Sequence, residues 1–201
     1  MPKIVDHEQY RKELLGKCFD LFAVKGYAAI TMRQIAAGLQ VSTGTLYHYF
    51  PNKQALFEQL VEEISQQDVI AAITEFGGKN NLSELMTALG QYLVKNEDYL
   101  IKWTYIWVDF CQHQDSKIML NNSAVFKRAN QRCQQVACDL LGVEDVVLAS
   151  FVLSFVNGVV LEKLWGNENI DFHAQCQILG AMLTAYLDKE SHFRYSRIQE
   201  K

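Results

Sequence analysis

Residues 31–50 read TMRQIAAGLQVSTGTLYHYF. The stretch holds two short helical segments around a tight turn. Thr31, with Gln34 three residues on, forms a capping box and opens a helix that closes at Ala37-Gly38. Leu39-Gln40-Val41 turns the chain, and Ser42 caps a second helix from Thr43 to about Tyr49. Pro51 stops it, because proline lacks an N–H donor and disfavours a helical predecessor. Ile35, Ala36, Leu39, Val41 and Leu46 fall where they pack the two segments together, with Tyr49 and Phe50 beside Leu46 on the packed face. This is the pattern of a helix-turn-helix.

Helical spacing continues on both sides. Residues 7–25 carry Leu14, Leu15, Cys18, Phe19, Leu21 and Phe22 at helical intervals, with Asp6 and Gln9 at the start and Lys25-Gly26 at the end. A short apolar connector, Tyr27-Ala28-Ala29-Ile30, joins that helix to the motif. Asn52 caps a long helix over about 53–75, and Gly77-Gly78-Lys79-Asn80 breaks the chain. Further helices are expected over 82–94, 98–113, 116–141, 143–165 and 172–189, with a frayed polar tail at 191–201. Only Pro2 and Pro51 interrupt 201 residues, so the fold class is all-α. The division expected is a three-helix reading domain over 1–52 and a helical domain over 53–201.

Charge separates along the same line. Residues 1–53 carry seven basic and four acidic side chains, whereas the remainder carries twelve and nineteen. One part therefore suits a polyanion and the other does not. Five cysteines, an odd count without a C-x-x-C pair, fit a reduced cytoplasmic protein. The polar start does not read as a signal peptide, and no membrane span is expected, since Lys102 and Asp109 interrupt the most aromatic stretch. No G-x-S-x-G, P-loop, H-E-x-x-H or paired carboxylates in an apolar run are found, which argues against an enzyme. No cofactor is implied.

The chemistry of the second short helix fits a major groove about 12 Å wide. Ser42, Thr43, Gly44 and Thr45 present small polar groups and bare backbone to base edges, while Tyr47 and His48 are placed for phosphates. Lys53 at the next helix start would add a phosphate clamp, and Thr31 and Arg33 stand where another phosphate could bind. From Phe22 to Phe57 the chain reads FAVKGYAAITMRQIAAGLQVSTGTLYHYFPNKQALF. This resembles the DNA-binding domain of the TetR family of transcriptional regulators, in KGY with T-x-x-x-IA, in V-S-x-G-x-LY-x-YF and in N-K-x-x-L-F. The resemblance implies DNA contacts at Thr31, Arg33, Ser42, Thr43, Gly44, Thr45, Tyr47, His48 and Lys53. Thr43 stands where many members have Lys, and Pro51 where Lys, Gly or Ser is frequent.

Beyond this quarter of the chain the family shares an architecture rather than residues. The resemblance implies a ligand pocket, and a dimer built from the last two long helices. The sequence agrees: 143–165 is apolar nearly all round, and with 172–189 it carries more apolar surface than one core needs. A homodimer through about 143–189, on a palindromic double-stranded operator, is the expectation.

Trp103, Trp107, Phe110, Cys111, Phe126, Phe155 and Asn157, with Tyr105, His113, Phe151 and Trp165, either line an apolar pocket or form a packed aromatic core. Asn157 reads as a buried amide in an apolar helix and wants a partner. Cys111-x-His113 lacks two further ligands for zinc, so no metal is assigned. The function expected is a sequence-specific repressor released from its operator by a small apolar or aromatic effector. The alternative is a helical protein–protein adaptor without DNA binding, which a salt titration on heparin or DNA would separate.

Overall fold

The computed structural model describes residues 6–112 and 114–199, which form ten helices. They are α1 (His7–Lys25), α2 (Met32–Gly38), α3 (Thr43–Tyr49), α4 (Lys53–Phe76), α5 (Leu82–Lys95), α6 (Glu97–Cys111), α7 (Gln114–Asn122), α8 (Ala124–Leu141), α9 (Val146–Leu164) and α10 (Phe172–Gln199). The fold is all-α, with an N-terminal helix-turn-helix and a helical C-terminal part.

Local chemistry sets the first four helices. The Asp6 carboxylate accepts from the amides of Glu8 and Gln9 at 3.0 and 3.1 Å. The Thr31 hydroxyl accepts from the Gln34 amide, and the Gln34 side chain accepts from the Thr31 amide at 2.9 Å, so the box is closed. Ser42 caps α3 through the Thr45 amide at 2.9 Å, and Asn52 caps α4 through the Ala55 amide at 2.7 Å. Between α2 and α3, Gln40 sits at φ 58°, and the Val41 amide reaches back to the Ala36 carbonyl at 3.0 Å. That is a Schellman turn made without glycine.

Three helices differ from the sequence pattern. The expected helix over 116–141 is two, α7 and α8, broken at Ser123, which is extended and caps the Val125 amide at 3.2 Å. Asn121-Asn122-Ser123 are polar side chains that compete for backbone groups, and apolar periodicity runs across the break and hides it. The last helix continues past 189 to Gln199. Contrary to the expectation of no span, α9 is long and apolar enough, by length and composition, to cross a membrane, and 22% of that window is buried within the chain. In this fold α9 packs on α6 and α8.

Two cores result. One joins α1–α4 to α6, α7 and α8; the other joins the end of α4 to α5, α9 and α10. Phe57 is the hub of the first, sealed from solvent and in ring contact with Phe22, Tyr27, Trp107, Phe110 and Phe126. Its closest ring, Phe110 on α6, stacks at 4.5 Å. Phe57→Ala should cost about 3–5 kcal/mol, the range for a buried Phe truncation. Thermal melting should fall by about 10 °C for a chain of this size. A melt unchanged within error would show that head and body do not share this core.

Candidate functional site

The first candidate site is the outer face of α2 and α3. Thr31, Arg33, Ser42, Thr43, Gly44, Tyr47 and His48 are exposed there, with Tyr47 half open to solvent, and Thr45 is part-buried. Arg33 belongs to none of the ion pairs among the described residues, so its guanidinium is free for an anion. Leu46 and Phe50 are sealed, which fixes the opposite face of α3 inward. Tyr49 lies between: it packs edge-on to Tyr10 at 5.6 Å, and its hydroxyl lies 2.8 Å from Nδ1 of His7.

Gly44 is informative. Glycine inside a helix costs about 1 kcal/mol relative to alanine. A Cβ built at Gly44 would touch only the Ser42 hydroxyl, at an ordinary 3.7 Å. Among the described residues no packing demands glycine there, and its face of α3 is open to close approach from outside.

Lys53, expected on phosphate, is turned inward. Its ammonium donates to the carbonyls of Tyr27, Ala28 and Ile30 at 2.8, 3.1 and 3.0 Å and lies 4.6 Å from the Tyr27 ring centre. Burial lowers its pKa, partly opposed by Asp109. The reason is geometric. The connector between α1 and α2 leaves its carbonyls without helical partners, and the first side chain of α4 reaches them. Asp109 of α6 completes the joint, accepting from the Ala28 amide at 3.1 Å. Gly26 is required beside it, for its φ of 75° and because a Cβ would come within 2.9 Å of the Asp109 carboxylate.

The second candidate site is a cavity of about 1040 Å3 in the C-terminal part, walled by α4, α5, α6, α8 and α9. Trp103, Trp107, Phe126 and Asn157 line it. Phe110 does not: it is sealed in the joint against Phe57 and Tyr27. Cys111 is exposed at the end of α6, and Phe155 is half-buried against the second core. His113 lies outside the described residues. Asn157, expected buried, is exposed in the single chain while bordering the cavity, because its face of α9 is uncovered. Cys18 and Cys176 are buried thiols pushed up to about 12 and about 11, so they stay protonated.

Sequence reasoning missed the α4 wall. Val61, Ile64, Ser65, Asp68, Ala72 and Phe76 follow helical spacing along it. The available signal was Asp68, a carboxylate on the apolar stripe. It is largely buried, and the Tyr99 hydroxyl donates to its Oδ1 at 2.9 Å. Burial raises the pKa of Asp68, with the Tyr99 bond partly opposing; burial and Asp68 together raise that of Tyr99.

Residues 14–60 match the family model for bacterial regulatory proteins, tetR family. Along most of its length the chain is similar to the probable acrEF/envCD operon repressor of Escherichia coli (strain K12), 23% identical over 182 residues, which are 84% of this chain and 82% of that one. The HTH-type transcriptional repressor KstR2 of Mycobacterium tuberculosis (strain ATCC 25618 / H37Rv) is 39% identical over 51 residues, 25% of this chain and 26% of that one. Among solved structures, the regulator FadR from Bacillus subtilis in complex with stearoyl-CoA aligns with TM-score 0.63 at 16% identity, covering 86% of this chain and 96% of that one. Residues 14–60 are therefore a DNA-binding region of the tetR type, and the chain, similar along most of its length to a transcriptional repressor, is a DNA-binding regulator.

Proposed function

We propose that this regulator is a cytoplasmic repressor that holds a palindromic operator as a homodimer and is released by a small molecule bound in the cavity. The reading head is 1–52 and the body 53–201. Ser42, Thr43, Gly44 and Thr45 approach base edges, while Thr31, Arg33, Tyr47 and His48 meet phosphates. Lys53 holds the connector instead of binding phosphate directly.

The observation that carries the reading is a continuous run of rings from head to cavity. Tyr27 contacts Phe57 at 4.7 Å, Phe57 contacts Trp107 at 5.9 Å, and Trp107 contacts Phe126 at 5.7 Å and Trp103 at 5.5 Å. Trp103, Trp107 and Phe126 line the cavity. A ligand that displaces those rings presses on the packing that seats the head. Close-packed interiors transmit such strain, and a coupling of a few kcal/mol is enough for release. FadR's complex with stearoyl-CoA supports a small-molecule effector for this architecture.

The dimer seam is proposed along α9 and α10. Val147 and Phe151 of α9 and Ile178, Met182 and Tyr186 of α10 leave a large apolar face exposed in the single chain. A face of that kind marks an interface, and half-sites about 34–36 Å apart need two reading heads. Val156, on the same helix, borders the cavity.

Operator fragments are obtained by selection with the purified protein. Tyr47→Ala or His48→Ala should weaken binding about five- to tenfold on every sequence alike, as loss of a phosphate contact does. Gly44→Ala should raise the melting temperature, since about 1 kcal/mol of helix propensity is gained, while weakening operator binding. Operator affinity untouched by all three changes would remove α3 from the interface. Met182→Glu should convert the dimer to a monomer in sedimentation; wild-type mass for a folded variant would place the seam elsewhere.

A further inference from the structure

Most of the cavity wall is apolar or aromatic, and its charges are unequal in placement. Among the described residues that line it, Asp68 is the one carboxylate and Lys127 the one basic side chain. Lys127 is exposed, whereas Asp68 is largely buried. Asp68 belongs to none of the ion pairs among the described residues. Its Oδ1 takes one hydrogen bond, from Tyr99, and no donor among the described residues reaches Oδ2. Tyr99 is itself held by Phe19, which stacks on it at 5.4 Å, so the bonded oxygen is fixed.

A buried carboxylate without a cation is costly, and proteins retain one where something completes it. Tyr92 and Cys133, the other groups felt electrostatically with Asp68, are uncharged near neutral pH and bring no positive charge. Tyr92, Trp103 and Trp107 on the same wall offer faces that attract cations. Resting on the reading of this cavity as the effector site, we infer that its effector is a lipophilic monocation, whose positive charge pairs with Asp68 while its apolar body fills the space between α4, α5, α8 and α9. An anionic effector is disfavoured, because its charge would be buried beside an uncompensated carboxylate.

The test is calorimetric titration of the full-length protein with three probes of one chain length below micelle formation: decyltrimethylammonium, decanol and decanoate. The cation should bind at least about tenfold more tightly than the other two, the size of effect expected from one desolvated charge pair. Asp68→Asn, which keeps the shape and can still accept from Tyr99, should abolish that preference and leave decanol affinity unchanged. Its melting curve, and decanol binding itself, establish that the variant is folded. Equal binding of the three probes, preference for decanoate, or a cation preference that survives Asp68→Asn overturns the inference but leaves the cavity as an effector site. Failure of all three probes to bind the wild-type protein overturns the effector-site reading as well.

Discussion

The four-residue connector between α1 and α2 is the constraint on which the rest depends. Its backbone runs between helices, so its polar groups have no ladder of their own, and each one left unpaired in the interior would cost on the order of 1–3 kcal/mol. Lys53 from α4 answers three carbonyls and Asp109 from α6 answers the Ala28 amide. The two side chains come from the two helices that Phe57 and Phe110 stack together. Polar pairing and ring packing therefore fix the same joint, and the orientation of the reading head on the body follows from it.

That joint gives the functional reading its physical content. α4 carries Lys53 at its first residue and Asp68 on its cavity wall, four turns further along. α6 carries Asp109 at the joint and Trp103 and Trp107 on the same wall. Both helices run from the joint to the cavity wall, so the proposed coupling of ligand to head has a continuous path through them. Glycine at position 26 leaves Asp109 no spare room against the end of α1. The head is thus positioned by groups that belong to the cavity-lining helices.

The fold was legible in the sequence where local rules act alone. Thr31 with Gln34, Ser42, Asn52 and Gly26 mark their helix ends by short-range hydrogen bonding, and the structure keeps each of them. The Ser123 break was not legible, because apolar spacing continues across it. Lys53 and Phe110 show the harder limit. A lysine at a helix start before DNA reads as a phosphate ligand, and an aromatic beside two tryptophans reads as part of a pocket. Only the tertiary arrangement shows that three carbonyls converge on the first and that the rings of Tyr27, Phe57, Trp107 and Phe126 close over the second. Asp68 was legible in principle, since a carboxylate on an apolar stripe is a conflict that calls for a partner.

α9 shows why composition alone misassigns an environment. Its apolar residues run round the helix, which by length and composition also describes a membrane span. Within the chain, Leu148, Val152, Val159 and Val160 are buried on one side, and Val156 borders the cavity. The outward stripe is different: Val147 and Phe151 are followed by Ser154, Asn157 and Gly158, which also border the cavity. Small and polar residues in that stripe are poorly matched to lipid tails. They suit close approach of another helix, with an amide available for pairing across it. A helix held between its own core and a second copy must be apolar on both sides, and α9 has that composition, with residues of both sides bordering the cavity.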